Sequence, residues 1–264
     1  MGQMQTNLQA PGGLLSRTGE QIDRIRINAI SRETVAGVPV WVKRRTGLSR
    51  LLVPVANGFF WLAGNPVEVF ATNTAWQQHE VRSFLLLNGA NLQAGLMQDN
   101  SVYAEDLPGS DLVHWLDQKK LSPEIMQSVG AAFRKVHQTP NPTTGELFSH
   151  GDPHLGNVLY DAAAGLVSWL DFETLHRRGL QTTERHADDL LVLLLDLMGR
   201  ATEEEWKILS PAFLAAYGQA EVLLELKKRL HPPSGFGAIW WAVRTSYLTR
   251  KELRLRAGWL RDQL

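Results

Sequence analysis

The sequence predicts an α+β protein in which a strand-rich segment precedes a longer helical one. Three observations carry this reading. Apolar and polar residues alternate with a period of two through Ile25-Arg26-Ile27-Asn28 and Val38-Pro39-Val40-Trp41-Val42-Lys43. Helical spacing dominates from Asp111 onward. Between them, Glu105-Asp106-Leu107-Pro108-Gly109-Ser110 is turn chemistry and marks a boundary. Hydrophobic residues make up 44% of the 264 positions, enough for a sizeable core. That excludes a disordered tail, a collagen-like fibre and a disulfide scaffold.

In chain order, residues 22–35 and 38–43 form a predicted hairpin turned at Ala36-Gly37. Residues 74–88 have helical spacing, with Thr72 or Thr74 as the cap and Gly89 as the stop. Residues 94–97 and 102–104 read as short strands. Residues 111–120 and 123–137 read as helices, the second capped by Ser122 with a proline in its first turn. Pro140 and Pro142 close that section. Residues 157–160 and 166–170 are strand candidates on either side of a turn at 161–165. Residues 188–198 are apolar nearly all round, the mark of a buried helix. Helices over 203–217, 221–230 and 236–264 complete the pattern, and no internal repeat is present. In the tail, Trp240 and Trp241 predict a buried first half, whereas residues 253–264, with Trp259 and Leu260, predict a surface that meets a membrane or a partner.

The net charge is zero but unevenly placed, with a balance of +3 over residues 1–104, −10 over 105–225 and +7 over 226–264. The acidic middle suits a metal or a cationic ligand and the basic tail an acidic surface, unless the two dock on each other. Without a uniform basic field, nucleic acid is not the leading partner. The absence of cysteine excludes a disulfide, a thiolate nucleophile and a Cys-type zinc site, and is compatible with a reducing compartment. Residues 1–11 lack the basic-then-apolar block of a secretory signal. The run 51–63 is too short to span a bilayer and is broken by Pro54, Asn57 and Gly58. The chain reads as cytoplasmic, with peripheral membrane contact left open; its oligomeric state is not legible.

The chemistry is concentrated in Ser149-His150-Gly151-Asp152-Pro153-His154-Leu155-Gly156-Asn157 and in Trp169-Leu170-Asp171-Phe172-Glu173. Asp152 and Asn157 share one polar loop, and a hairpin after it returns Asp171 to the same place. Two carboxylates and an amide oxygen make a hard-oxygen site suited to Mg²⁺ and phosphates. A carboxylate left off the metal can accept a hydroxyl proton, which completes the parts needed for phosphoryl transfer to an alcohol.

This pattern resembles the protein-kinase-like fold, in the branch of aminoglycoside phosphotransferases, choline kinases and lipopolysaccharide-core sugar kinases. Its His-Gly-Asp-x-His-x-x-Asn loop is matched at His150, Gly151, Asp152, His154 and Asn157, and its Asp-Phe-Glu motif at Asp171, Phe172 and Glu173. The resemblance implies two lobes: residues 1–104 as a smaller, sheet-bearing lobe with an insertion at 47–65, residues 105–110 as a hinge, and residues 111–264 as a helical lobe. It implies ATP and Mg²⁺ as cofactors, Asp152 as catalytic base, and Asn157 and Asp171 as metal ligands. It further implies a lysine on a strand paired with a glutamate on the next helix. Lys43 fits by its register with Trp41. Glu80 fits because it shares a face with Trp76, Phe84 and Leu87 and needs a partner there. Backbone groups from Glu105 to Leu107 would meet the adenine, and Asp189 would hold the backbone of the catalytic loop. His150 reads as a packing residue, and His154 stays open between structure and function.

The sequence also departs from the family. No glycine-rich phosphate loop appears between Arg24 and Val38. The insertion carries Phe59-Phe60-Trp61-Leu62, which either packs inward or offers a hydrophobic contact surface. Glu173 stands where protein kinases have glycine, and the segment to Asp189 is too short for a regulated activation loop. The leading expectation is a kinase acting on a hydroxyl of a small molecule, sugar or glycoconjugate. The alternatives are a compact atypical protein kinase and a nucleotide-binding pseudokinase.

Overall fold

Alternation in the first segment produces β1 (Asn28–Val35) and β2 (Val38–Arg45), paired antiparallel from Asn28 opposite Arg45 to Val35 opposite Val38. The two-residue turn between them holds Ala36 and Gly37 at φ of 50° and 84°, the left-handed pair that suits the strand twist. The computed structural model describes residues 28–141, 144–245 and 248–264. The expected strand start at 22–27 and Pro142 lie outside these, as do the side chains of Arg50, Trp240, Val243 and Arg244.

The chain is a mixed α+β protein with a small antiparallel sheet of order β1-β2-β5-β4. Its other strands are β4 (Ala94–Leu96) and β5 (Val102–Glu105). Between β2 and β4 come α1 (Ser49–Leu62), β3 (Val67–Val69) and α2 (Asn73–Asn88). Thr72 Oγ1 accepts from Ala75 N at the start of α2, which packs on β4 and β5. After the turn, β6 (Ser110–Asp111), α3 (Leu112–Asp117) and α4 (Pro123–His137) follow. Asp111 is the cap of α3, and the helix ends earlier than its spacing suggested. A 3₁₀ turn (Leu155–Asn157), β7 (Val158–Asp161) and β8 (Leu166–Trp169) complete a second sheet of order β6-β7-β8.

Two features escaped the sequence. Residues 47–65 are an α-helix and its flanks, and the helix feeds β3, which pairs with β9 (Thr174–His176). Asn57 fastens α1 to that ladder: its Nδ2 donates to Val69 O at 2.9 Å, and its Oδ1 accepts from Val69 N at 2.7 Å. The buried helix also begins earlier than its apolar run. α5 (Thr182–Arg200) opens on a reciprocal cap between Gln181 and Glu184, so Asp189 lies two turns inside it and is no N-cap.

The core lies among α4, α5, α6 (Glu203–Tyr217) and α7 (Ala220–Arg229), with Phe133, Phe213, Trp206 and Tyr217 fully buried. α4 and α6 cross closely at Gly130, where a Cβ would come 2.2 Å from the Phe213 carbonyl oxygen. Only glycine allows that approach.

The tail corrects the sequence reading. It divides into α8 (Phe236–Arg244) and α9 (Arg250–Gln263). In α8 Trp241 is buried, but Phe236 and Ile239 are exposed. The expected surface half is the half that packs: Leu253, Ala257 and Leu260 are buried, and Trp259 lies against the core. Spacings of four and three put these residues on one face. Arg256 donates to the carbonyls of Met198 at 2.8 Å and Ala201 at 2.7 Å, satisfying the open end of α5.

Candidate active site

β2 carries Lys43 and α2 carries Glu80, and the two meet. Lys43 Nζ lies 2.7 Å from Glu80 Oε1 and 2.9 Å from Asp171 Oδ1. Glu80 Oε2 also accepts from Phe172 N at 2.9 Å, so one side chain orients both the lysine and the backbone beside Asp171. Burial works against a charged Lys43, but Asp171 and Glu80 outweigh it and hold its pKa well above the ordinary value. Burial raises the Glu80 carboxyl. It would raise Asp171 too, but Lys43 reverses the sign and lowers it. Removing one member of such a group strands a buried charge.

Asp171 has φ of 64°, a left-handed conformation rare outside glycine, and it sits at the end of the β7–β8 hairpin. Backbone strain of this kind gathers at functional sites. Glu173, left outside the expected site set, belongs beside it. Asn28 Nδ2 donates to its Oε1, and burial together with Asp171 pushes its carboxyl up to about 8.

The loop carrying Asp152 is fixed from behind by α5. Asp189, fully buried, accepts from His150 N and Gly151 N, both at 2.7 Å, and from His137 Nε2 at 3.1 Å. Burial opposes its ionisation, but the His137 hydrogen bond and the nearby imidazoles hold it well below the usual carboxylate range. Two turns on, Asp196 accepts from Leu155 N at 3.0 Å and is itself held by Arg200 at 2.7 Å. One helix face thus grips both ends of the loop. Asp196 was not singled out in the sequence, although an aspartate on an otherwise apolar helix demands a partner. Asp188, the third acid there, binds His176 Nε2 at 3.2 Å and so anchors β9.

His150 is structural. Its Nε2 donates to Leu170 O at 3.0 Å, its Nδ1 faces Asp152 N at 3.4 Å, and its ring lies against Phe172. With both nitrogens engaged and burial lowering its pKa, it moves no proton. His154 Nδ1 accepts from Gly156 N at 3.1 Å and caps the 3₁₀ turn. At Gly151, φ is 84° and a Cβ would come 2.7 Å from Thr174 Oγ1, so glycine is required.

Asn157 and Asp171 are brought together by the ladder. Leu170 N donates to Asn157 O at 2.9 Å, continuing the register of Val158 opposite Trp169. Asn157 Nδ2 donates to Asp152 O at 2.9 Å, which leaves its amide oxygen as the acceptor of the side chain. An amide oxygen and a low-pKa carboxylate are the hard donors a Mg²⁺ ion takes, with phosphate oxygens and water completing the shell. The residues fit the ion. Among the described residues no group of three or more His, Cys, Asp or Glu is gathered to hold a metal. Asp152 lies close enough to oppose in part the lowering of the Asp171 carboxyl by Lys43.

The turn residues are less uniform than expected. Glu105 N donates to Gln93 O at 2.7 Å, and Asp106 N to Pro39 O at 2.9 Å, so both N–H groups serve the fold. The Glu105 carboxylate accepts from Gln93 N. The Leu107 side chain is buried in the core. Asp106 accepts from Trp41 Nε1 at 2.7 Å and pairs with Arg32, closing the turn onto the sheet. Compared with known proteins, the chain matches no family model and no curated sequence.

Proposed function

We propose that this chain is an ATP- and Mg²⁺-dependent phosphotransferase acting on a hydroxyl of a small molecule, sugar or glycoconjugate. We read it as a kinase-like two-lobed fold, with residues 1–104 as the smaller lobe, 105–110 as hinge and 111–264 as the larger. The observation that carries this reading is the junction of Lys43, Glu80 and Asp171 with a clamped loop bearing Asp152 and Asn157.

In this reading Lys43, aligned by Glu80, presents its ammonium group to the nucleotide phosphates. Asn157 and Asp171 would hold Mg²⁺, which when bound supplies charge neutralisation on the transferring group. Asp152 orients the acceptor hydroxyl and accepts its proton. Catalysis is then positioning plus charge stabilisation. Leu107, at the turn, contributes backbone to the adenine edge. A small acceptor is favoured over a protein because residues 174–176 are already a paired strand anchored through His176 to Asp188. That leaves no room for a long regulated segment before α5.

The test is calorimetry of Mg-ATP binding followed by phosphoryl transfer to a panel of sugars and amino alcohols. We expect Asp171→Ala to abolish Mg-ATP binding, and Asp152→Ala to retain most of it while losing transfer. If both variants bind Mg-ATP like the parent, the assignment of roles is wrong. Binding without turnover against any acceptor would favour a nucleotide-binding scaffold, the reading suggested by the missing glycine loop.

A further inference from the structure

The ends of three helices border an open cleft of about 480 Å³. α4 contributes its last residue, His137, while α5 and α7 both begin there, with Thr182 and Thr183 from one and Ala220, Glu221 and Val222 from the other. The first turn of a helix carries N–H groups with no intrahelical partner. In α7 the first amide to find one is Leu223 N, 3.0 Å from Gln219 O. Gln219 stands at the cap position, but its side-chain oxygen accepts from the Tyr217 hydroxyl at 3.1 Å and caps nothing. The N–H groups of Ala220, Glu221 and Val222, and those of Thr182 and Thr183 in α5, therefore have no partner among the described residues.

A buried side chain opens on the same cleft. His186 lies one turn along α5 from Thr182 and is 2% exposed. Its Nε2 donates to Phe148 O at 3.0 Å, which fixes the tautomer and leaves Nδ1 as a bare acceptor. Nδ1 is neither hydrogen-bonded among the described residues nor sealed from solvent, and the cleft is where this residue reaches solvent. Burial keeps the ring neutral and lowers its pKa to about 3. His137, stacked on it with centroids 3.9 Å apart, and Arg185 also oppose a proton there, while Asp189 favours one. Of the residues lining the cleft, Glu221 alone carries a carboxylate, and it is exposed.

We infer that this cleft binds a small phosphate monoester in its singly charged form. Open N–H groups at two helix ends call for an oxyanion, whereas a neutral Nδ1 calls for a hydroxyl. A phosphate monoester, whose second pKa is about 6, carries both. Its oxygens accept from the N–H groups and its P–OH donates to His186 Nδ1. A sulfate or a carboxylate holds no such proton near neutral pH, so beside it Nδ1 stays unpaired or the buried imidazole has to charge. Glu221 selects the same species, because it repels a second negative charge. The cleft is larger than a phosphate ion, and Leu147, Ala220 and Val222 offer apolar surface to the organic part.

The inference does not rest on phosphoryl transfer, and its test reads binding alone. The full chain is titrated in a calorimeter with inorganic phosphate, glycerol phosphate, sulfate and glycerol, at about pH 6 and about pH 8. We expect both phosphates to bind at least about tenfold more tightly than sulfate at the lower pH, to weaken at the higher, and glycerol not to bind. His186→Phe keeps a ring but removes the acceptor, and should erase the preference for phosphate over sulfate. If that variant does not fold, Ala220→Pro replaces it. Proline suits the first helical position, Gln219 before it is already extended, and one open N–H is deleted, so phosphate should bind several-fold more weakly to a chain that melts like the parent. Equal affinity for phosphate and sulfate, or phosphate binding that neither variant alters, marks an adventitious ion only and overturns the proposal. So does a chain that binds no phosphate, or a phosphate that Mg-ATP displaces and the variants do not affect, which would sit beside Lys43.

Discussion

Asp189 is the residue on which the candidate site's shape depends most. Its two oxygens take two backbone N–H groups and one imidazole N–H, all without solvent. Asn in its place would offer a single acceptor and turn an NH₂ toward a donor. We expect Asp189→Asn to cost about 3 kcal/mol of stability and to speed hydrogen exchange at His150 and Gly151 before other core amides. Unchanged exchange at those two amides would count against the clamp. The loop with Asp152 and Asn157 and the hairpin that returns Asp171 were legible in local spacing, whereas the pairing of Lys43 with Glu80 was sought because of the family resemblance and only then supported by the register of Lys43 and the helix face of Glu80. Asp196 was not legible, since its role is defined only by Leu155, a partner on a distant segment that no local period reveals.

At the scale of elements, legibility followed local periodicity. The β1–β2 hairpin, α2 and α4 announce themselves by alternation, caps and stops. The β3–β9 ladder has three residues a side and no local signal, because its strands are defined only by each other. α9 misled for a different reason: its five basic residues from Arg250 to Arg261 obscure a stripe of Leu253, Ala257 and Leu260. Burying Leu253 and Leu260 stabilises by roughly 1.5–3 kcal/mol each, and Arg256 closes α5 besides. We therefore expect deletion of residues 250–264 to remove a large part of a total stability of ~5–15 kcal/mol. A thermal melt should show a much lowered or non-cooperative transition. A truncated chain melting like the parent would make α9 an accessory.

For the whole molecule, the buried histidines give the fold an acid-sensitive contribution. An unfolded imidazole takes up its proton near pH 6.5, whereas burial lowers His79 to about 4 and His186 to about 3. Burial lowers His137 as well, and its ring stacks on His186 with centroids 3.9 Å apart. Between these values the unfolded chain binds more protons than the fold. The histidine contribution is therefore full above about pH 6.5 and falls as pH drops toward 4, by up to about 1.4 kcal/mol per pH unit for each such group, opposed in part by Glu173, whose carboxyl at about 8 favours the fold as pH falls below that value. Urea melts from pH 7 to 4.5 should show this slope, and His186→Asn should flatten it. A pH-independent midpoint across that range would contradict the neutral stacked pair.

The grip of α5 on the loop has a consequence for how the protein is made. A ribosome adds residues in order, so Lys43, Glu80, Asp152, Asn157 and Asp171 are all present in the growing chain before Asp189 and Asp196 exist. α9, whose Arg256 seals the end of α5, emerges later still. During that interval the nascent chain carries these five residues without the two α5 carboxylates that hold the backbone of the 150–155 loop. The loop is therefore fixed in reverse of the order of synthesis, by helices that emerge after it.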